Sequence, residues 1–197
     1  MSFRKERKFR LTSYDAKALR AQLLCKGMTM LHPDRKITSQ YFDTRDMRAF
    51  EESEEGSLPR YKNRIRWYND DQSKLTLERK VSSIEGRYKT TKRVQPADFV
   101  RLKRTGIFDK DYGLVFPSVV ISYRRAYYDY KELRITFDTD IGYAFDNGML
   151  QFRDFEEVVE IKAPISAADD YLESIVAVPT SRFSKYCRSF LHREMAV

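Results

Sequence analysis

Five segments of the chain carry charged residues at alternate positions, with one threonine among them in each of two segments. Successive side chains of a β-strand point to opposite faces, so each set would lie on one face of a strand. Cations crowded on one face in a poorly hydrated space repel each other strongly unless an anion lies among them. The spacing therefore predicts a polyanion site, such as one for a chain of phosphates, in a sheet whose charged face turns inward. The segments are Arg4-x-Glu6-x-Lys8-x-Arg10, Lys62-x-Arg64-x-Arg66, Lys74-x-Thr76-x-Glu78-x-Lys80, Arg134-x-Thr136-x-Asp138-x-Asp140 and Glu160-x-Lys162.

Two glutamates in these segments, Glu6 and Glu160, each precede a lysine by two residues, Lys8 and Lys162 respectively. A carboxylate and an ammonium group on one strand face commonly form a plain cross-strand ion pair. Alternatively, the carboxylates bind Mg²⁺ or Mn²⁺ while the lysines contact phosphate, because these hard cations prefer oxygen ligands and need only one or two protein carboxylates. The residues alone leave both interpretations open.

The sequence lacks the motifs of several other enzyme classes. It has no Walker A loop and no Gly-x-Gly-x-x-Gly segment, and no serine or cysteine nucleophile motif. Its two histidines, His32 and His192, are too few for a histidine metal site or a proton relay, so any metal must be held by oxygen. Catalysis would then work through charge and metal, which suits phosphoryl transfer because that reaction depends on positioning and charge neutralisation.

The segment 60–68 interleaves aromatic and basic residues, which is also typical of nucleic-acid-binding strands. Ile65 and Trp67 fall on the face opposite to Arg64 and Arg66, so they cannot stack bases beside these cations. This strand alone leaves a solvated face, phosphate contact and base stacking open, and a nucleic-acid partner is the least favoured of the three.

Composition indicates one globular domain over residues 1–197, with a formal net charge of +8 that favours anionic partners. No apolar run approaches the ~20 residues needed to span a bilayer, so a separate partner would have to supply any membrane anchor. Cys25 and Cys187 are expected to be free thiols of a cytoplasmic protein.

Alternation and turn signals predict an α+β fold: a closed eight-stranded antiparallel β-barrel with a few surrounding helices. The acidic stretch 51–56 is expected to be a solvated loop, and 69–71, 85–86 and 146–148 are expected to be turns. Ser184 and Lys185 would lie where the last helix begins, either binding an anion through free amide groups or simply capping the helix. Strands are predicted at 3–11, 37–43, 60–68, 73–81, 86–94, 118–128, 131–141 and 156–163, and helices at 13–26, 96–103, 166–176 and 181–194.

Taken in order, these motifs resemble the catalytic domain of the vacuolar transporter chaperone (VTC) family, the polyphosphate polymerase branch of the CYTH-like triphosphate tunnel metalloenzymes. Arg4 replaces the first glutamate of the Glu-x-Glu-x-Lys signature of other tunnel enzymes, which favours the polymerase branch. Ser82 stands where the polymerases of the family carry a histidine. The matching blocks are Arg4-x-Glu6-x-Lys8, Ile37–Asp43, Arg64–Tyr68, Leu77–Lys80, Ser122–Ala126, Arg134–Asp140, Val159–Lys162 and Phe183–Tyr186.

The resemblance implies a tunnel that holds ATP, triphosphate or inorganic polyphosphate and uses Mn²⁺ or Mg²⁺. It assigns the metal to Glu160, with Glu6 as a second candidate ligand. Strand 118–128 does not itself show whether Arg124 or Arg125 points inward, and the resemblance favours Arg125. The resemblance implies catalytic phosphate contacts for Lys8, Arg64, Arg66, Lys80, Arg125 and Lys185; further substrate contacts are Tyr123, Ser184, Arg134, Lys162 and Ser82.

Three functions fit these residues. The first is a metal-dependent transferase that grows inorganic polyphosphate from ATP. The second is a tri- or polyphosphatase in which water is the acceptor. The third is a non-catalytic polyphosphate- or nucleotide-binding module, which would not need Glu160; its presence favours an enzyme.

The charge pattern predicts that a bound polyanion stabilises folding, because it removes repulsion and binds only the folded state. At about one hundred times its dissociation constant it should add roughly 2.7 kcal/mol to the free energy of unfolding, which raises the melting temperature by about 5–11 °C. Triphosphate should exceed pyrophosphate, and both should exceed sulfate at matched ionic strength. A melting temperature that follows ionic strength and ignores chain length would contradict this prediction.

Overall fold

The computed structural model describes residues 4–145, 148–176 and 178–194. It confirms the α+β class, with antiparallel strands and short helices. The strands are β1 (Arg4–Thr12), β2 (Thr29–Asp43), β3 (Arg60–Tyr68), β4 (Asp71–Ser83), β5 (Gly86–Val94), β6 (Ile107–Asp109), β7 (Gly113–Tyr130), β8 (Leu133–Phe145), β9 (Leu150–Arg153) and β10 (Glu156–Pro164). The helices are α1 (Ser13–Cys25), α2 (Arg48–Glu55), α3 (Pro96–Thr105), α4 (Asp169–Ile175) and α5 (Lys185–Glu194).

The strands follow the hydrogen-bonded order β1-β10-β8-β7-β2-β3-β4-β5, while β6 pairs with β7 and β9 pairs with β8. Across the described residues, β1 and β5 end this order and do not pair with each other. The predicted closed eight-stranded barrel is therefore wrong: the sheet is open and has ten strands. Alternation specifies which face a side chain takes, but it does not specify whether the two end strands meet. The short strands β6 and β9 are too brief to show alternation.

The chain forms two compact units, and each has its own apolar core. Unit 1 comprises residues 1–36, 123–141 and 153–183, and unit 2 comprises residues 37–122, 142–152 and 184–197. The unit 1 core is built from the apolar faces of the paired strands with α1 against β1 and β10. Its members include Phe9, Leu19, Tyr128, Phe137 and Val159. The unit 2 core includes Phe42, Ile65, Trp67, Leu75, Phe99 and Val115.

The acidic stretch 51–56 was expected to be a solvated loop, but most of it lies in α2. The carboxylate of Asp43 accepts hydrogen bonds from the backbone N–H groups of Ala49 at 2.8 Å and Phe50 at 3.0 Å. These bonds satisfy amide groups that a helix start leaves unpaired. Asp43 lies well before the helix in sequence, so a local search for a capping residue does not find it. Of the predicted turn at 146–148, residues 146 and 147 lie outside the described residues.

Unit 2 also contains a buried polar network on the apolar side of β4. Asp109 accepts from Arg79 at 2.6 and 3.1 Å, from Asn63 at 2.8 Å and from the backbone N–H groups of Asp111 and Tyr112. Burial opposes ionisation of Asp109, but these donors outweigh it and lower its pKa to about 2. Arg79 is thereby held on the opposite face from its neighbour Lys80.

Changing Asp109 to Asn should destabilise the protein by about 2–3 kcal/mol, because Arg79 would lose its buried carboxylate and keep only the partly exposed Asp111. The loss should appear above pH 4 and shrink as the pH falls toward 2, because the pKa of Asp109 falls from 3.8 to about 2 on folding. Urea unfolding of the wild type and the variant at several pH values measures the difference in their free energies of unfolding. Asp111→Asn is the control, because Asp111 also contacts Arg79 but is partly exposed. Equal small effects of both changes would show that the network does not stabilise unit 2.

Candidate functional site

In unit 1 the polar faces of β1, β10 and β8 lie side by side. Lys8 stands directly opposite Glu160 in the β1–β10 register, and Glu160 stands opposite Thr136 in the β10–β8 register. Glu6 stands opposite Lys162. The alternation predicted from the sequence thus places these polar side chains on one face of the sheet, with the core on the other.

Arg125 is the most firmly held cation of this face. Its Nε and Nη2 atoms donate to the two carboxylate oxygens of Asp138 at 2.5 and 2.7 Å, and Nη2 lies 3.9 Å from Glu160 Oε2. Burial lowers the pKa of Arg125, but the carboxylates of Asp138 and Glu160 outweigh burial and raise it well above its ordinary value. Arg124 instead lies mostly exposed, 3.3 Å from Asp34. The structure therefore places Arg125, and not Arg124, on the polar face.

In unit 1 Glu6 and Glu160 each pair with the lysine two residues further along the same strand, so these ion pairs lie within a strand and are not the cross-strand pairs considered from the sequence. The distance from Lys8 Nζ to Glu6 Oε1 is 3.1 Å, and that from Lys162 Nζ to Glu160 Oε1 is also 3.1 Å. Lys8 Nζ also lies 3.4 Å from the carbonyl oxygen of Phe183. The two pairs are compatible with phosphate binding, because an ammonium group can contact a carboxylate and a phosphate together.

The other predicted substrate contacts of unit 1 are Tyr123 and Arg134. Tyr123 is buried, and its ring centroid lies 5.3 Å from the guanidinium carbon of Arg125. Arg134 stands opposite Lys162 in the β8–β10 register, so two cations face each other there. Like charges directly opposite each other destabilise a sheet, so an anion bound at this pair would reduce the repulsion between the two cations.

A divalent metal would have to be held in unit 1 by few protein ligands. Within the ranges that the structure describes, no group of three or more histidine, cysteine, aspartate or glutamate side chains could hold an ion by itself. Glu160 is buried, and the hydroxyl of Thr136 opposite it is buried with no hydrogen-bond partner. A carboxylate beside an unsatisfied hydroxyl fits a Mg²⁺- or Mn²⁺-type site that takes its remaining ligands from water and phosphate.

In unit 2 a single buried carboxylate, Glu78, contacts three cations. Glu78 Oε2 accepts from Arg64 at 2.6 and 2.7 Å and lies 3.8 Å from Arg66, and Oε1 accepts from Lys89 at 2.7 Å. Burial opposes ionisation of Glu78, but Arg64, Arg66 and Lys89 outweigh it and lower its pKa to about 2. Glu78 therefore stays ionised and holds the predicted phosphate contacts Arg64 and Arg66 in place.

Tyr41 is a functional candidate that the sequence did not single out. Its hydroxyl accepts from Arg64 Nη1 at 2.8 Å, and Tyr41 stands opposite Arg64 in the β2–β3 register. Burial opposes ionisation of the phenol, but Arg64, Arg66 and Lys62 outweigh it and lower the pKa of Tyr41 to about 8. Arg64, Arg66 and Lys62 thus favour a negative charge at the phenol oxygen of Tyr41.

Three lysines lie in one row across unit 2. Lys62 on β3 stands directly opposite Lys80 on β4, and Lys80 stands directly opposite Lys89 on β5. Directly opposed residues of antiparallel strands share a face and have Cβ atoms about 4.5–5.5 Å apart. Three lysine side chains thus begin side by side on one face, and Lys89 contacts Glu78 at 2.7 Å.

The start of α5 lies against this row. Lys62 Nζ donates to Ser184 Oγ at 2.9 Å, directly before the helix begins at Lys185. Tyr186 donates to the carboxylate of Asp43, and its ring stacks on Tyr41 with a centroid distance of 5.0 Å. These contacts join the predicted 37–43 and 183–186 blocks and place Ser184 beside a predicted cation.

Ser82 and the cations of β5 complete the polar face of unit 2. Ser82 is buried opposite Arg60 and Arg87. Sequence reasoning missed Arg87, Lys89 and Arg93, although Arg87-x-Lys89-x-Thr91-x-Arg93 shows the same alternation as the other segments. A cavity of about 300 Å³ is lined by β4 and β5 residues, including Thr76, Thr91 and Arg93.

The tyrosinate absorbance of the protein should show one phenol that titrates near pH 8, and Tyr41→Phe should remove it. Because the pKa of Tyr41 falls from 10.0 to about 8 on folding, the ionised phenol should add stability as the pH rises from 8 to 10. Saturating triphosphate should move the midpoint upward by neutralising Arg64 and Arg66. Tyr61→Phe is the control, since the pKa of Tyr61 is raised. A midpoint that ignores triphosphate would argue against phosphate at these arginines.

Comparison with solved structures shows which proteins share this fold. A protein from Bacillus halodurans described as a proposed adenylate cyclase aligns with a TM-score of 0.61 and 13% identity, over 93% of this chain and 94% of that one. A conserved hypothetical protein from Pyrococcus furiosus aligns with a TM-score of 0.58 and 13% identity, over 94% and 99%. A proposed adenylyl cyclase from Hippeastrum with a dominant triphosphatase activity aligns with a TM-score of 0.57 and 17% identity, over 96% of each chain. At these identities the likeness concerns the fold.

The comparison with curated proteins found no match. Within the described residues, no helix is both long and apolar enough to cross a membrane.

The VTC domain matches residues 3–112 and 101–192, which together span nearly the whole sequence. This confirms the family expected from the order of the motifs. The chain belongs to the VTC domain family.

Proposed function

We propose that this chain binds triphosphate or polyphosphate and transfers phosphoryl groups, with synthesis of inorganic polyphosphate from ATP as its reaction. The observation that carries the proposal is the row of Lys62, Lys80 and Lys89 on one sheet face. Opposed like charges destabilise a sheet, so such a row is best explained by a ligand that supplies several negative charges. A linear phosphate chain supplies several negative charges along its length.

The two units contribute different groups to this proposal. In unit 1, Lys8, Arg125, Arg134 and Lys162 would contact phosphate, with Tyr123 as a neutral contact. In unit 2, the carboxylate of Glu78 holds the contacts Arg64 and Arg66 in place before any ligand arrives. Preorganised cations stabilise the charge of a transferring phosphoryl group without reorganisation during the reaction. The remaining contacts of unit 2 would be Lys80, Ser82, Ser184 and Lys185.

Glu160, with Glu6 as the second candidate, would hold Mn²⁺ or Mg²⁺. The metal, when bound, supplies charge neutralisation at the transferred phosphoryl group, worth several kcal/mol in such reactions. Two cations position the carboxylate that would bind the metal. Glu160 Oε1 lies 3.1 Å from Lys162 Nζ, and Glu160 Oε2 lies 3.9 Å from Arg125 Nη2. Arg125 is in turn oriented by Asp138.

The second candidate function is a triphosphatase, in which water accepts the phosphoryl group. The triphosphatase activity of the Hippeastrum protein, which shares the fold, supports this alternative. A module that binds polyphosphate without turnover is the third candidate. Nucleic-acid binding is weaker, because Ile65 and Trp67 on β3 are buried in the unit 2 core and cannot stack bases.

Phosphorus NMR of the protein with ATP and Mg²⁺ tests the proposal. Signals from internal chain phosphates indicate a polymerase, orthophosphate indicates a triphosphatase, and unchanged ATP indicates a binding module. Glu160→Gln should abolish turnover, because the amide keeps the shape of the side chain but loses the charge that fixes the metal. Triphosphate binding by this variant should remain.

Glu156→Gln is the matched control. Glu156 lies on the same face of β10 but pairs with Arg10 at 2.5 Å, so its loss should leave turnover within about twofold. Near-normal turnover by Glu160→Gln at saturating metal would contradict the metal assignment. Equal losses in both variants would point to general damage to β10.

A further inference from the structure

Thr136 carries a buried hydroxyl whose hydrogen-bonding capacity is unused. Its side chain is only 3% exposed, and its Oγ1 atom has no hydrogen-bond partner in the structure. Leaving a buried hydroxyl unsatisfied costs about 1–3 kcal/mol, and native proteins rarely do so without reason. Thr136 therefore needs an explanation that the ion pairs around it do not provide.

The position of Thr136 indicates what could bind its hydroxyl. It stands directly opposite Glu160 in the β8–β10 register, on the polar face, while its neighbours Ile135 and Phe137 point into the core. Residues opposed in this way have Cβ atoms about 4.5–5.5 Å apart. An ion bound to both side-chain oxygens would hold them within about 4.2 Å of each other, since metal–oxygen bonds are 2.0–2.1 Å for Mg²⁺, and side chains of opposed residues can reach that separation.

Of the two carboxylates near this hydroxyl, Glu160 is the one that could share a cation with it. Asp138 lies two residues further along β8 and is fully buried. Both of its carboxylate oxygens accept hydrogen bonds from Arg125. Glu160 presents its carboxylate on the next strand. A hydroxyl beside this carboxylate offers a neutral oxygen ligand, which adds to the coordination of a divalent ion without adding negative charge.

We infer that Thr136 Oγ1 is a second protein ligand of the divalent metal ion proposed at Glu160. This inference rests on the proposed function for the identity of the metal. Thr136 then positions the ion over β8 as well as β10, and Glu160 supplies the charge. An ordered water molecule or a direct phosphate contact would be the competing occupants of the hydroxyl.

The test compares triphosphate binding with and without metal, using an imido-bridged triphosphate that cannot be hydrolysed. Calorimetry gives its dissociation constant in EDTA and in Mn²⁺, and the ratio of the two measures the metal-dependent gain in affinity. We expect Thr136→Val to lower this gain by about tenfold, a typical loss when a metal site is disturbed. Glu160→Gln should remove the gain altogether, and Thr136→Ser should keep it because the hydroxyl remains.

Thr38→Val is the matched control. Thr38 also has a buried hydroxyl without a hydrogen-bond partner, but it stands opposite Trp67 on the apolar face of β2 in unit 2. Both valine variants should raise the melting temperature of the metal-free protein by about 2–4 °C, because each removes an unsatisfied hydroxyl. Only the Thr136 variant should lose metal-dependent affinity. If Thr136→Val does not fold, Thr136→Ala replaces it.

The outcomes separate this inference from the proposed function. An unchanged metal-dependent gain in Thr136→Val, with the gain lost in Glu160→Gln, overturns the role of Thr136 and leaves the metal at Glu160. Weaker binding of Thr136→Val in EDTA, with the gain intact, also overturns it and makes the hydroxyl a phosphate contact. A wild-type protein that binds no triphosphate contradicts the proposed function itself.

Discussion

Repulsion between cations on one face of a sheet is the constraint on which the polar architecture of this protein depends. A few buried carboxylates counter it from within. Glu78 contacts Arg64, Arg66 and Lys89 in unit 2, and both carboxylate oxygens of Asp138 accept hydrogen bonds from Arg125 in unit 1. Each carboxylate is buried beside guanidinium groups, where electrostatic interactions are stronger than in water. The cations are therefore held in fixed positions and remain able to attract an anion.

This arrangement suits a reaction that depends on positioned charge. Phosphoryl transfer asks little covalent chemistry of the protein and gains most from cations placed before the substrate arrives. Arg64, Arg66 and Lys62, which lower the pKa of Tyr41, are among the cations that such a substrate would meet. A polymerase and a triphosphatase would share all of these groups. They differ in the acceptor, and so in how well water is kept from the transferred phosphate.

Places where a structure breaks a local rule often belong to its function. The opposed lysines of β3, β4 and β5 break the rule that like charges avoid each other across a sheet. The hydroxyl of Thr136 breaks the rule that buried polar groups are paired. By contrast, the network of Asp109 and Arg79 obeys both rules, and we expect it to stabilise unit 2.

The sequence by itself determined which face each strand residue takes. Because the side-chain period of a strand is two, Lys8, Arg64, Arg66, Lys80 and Glu160 could be assigned to polar faces without a structure. The same rule applies to Arg87, Lys89 and Arg93 of β5. The family could be predicted for a related reason, since the order of the motifs is a property of the sequence.

Only the tertiary structure decided how these residues are partnered. The bidentate contact with Asp138 shows that Arg125, and not Arg124, lies on the polar face. The start of α2 depends on Asp43, whose carboxylate accepts hydrogen bonds from the first amide groups of the helix although Asp43 lies outside it. Strand pairing likewise decided that the sheet is open and that three lysines form a row. Each of these features joins residues distant in sequence. Local periodicity carries no information about such contacts, because they depend on the register between strands and on which strands become neighbours.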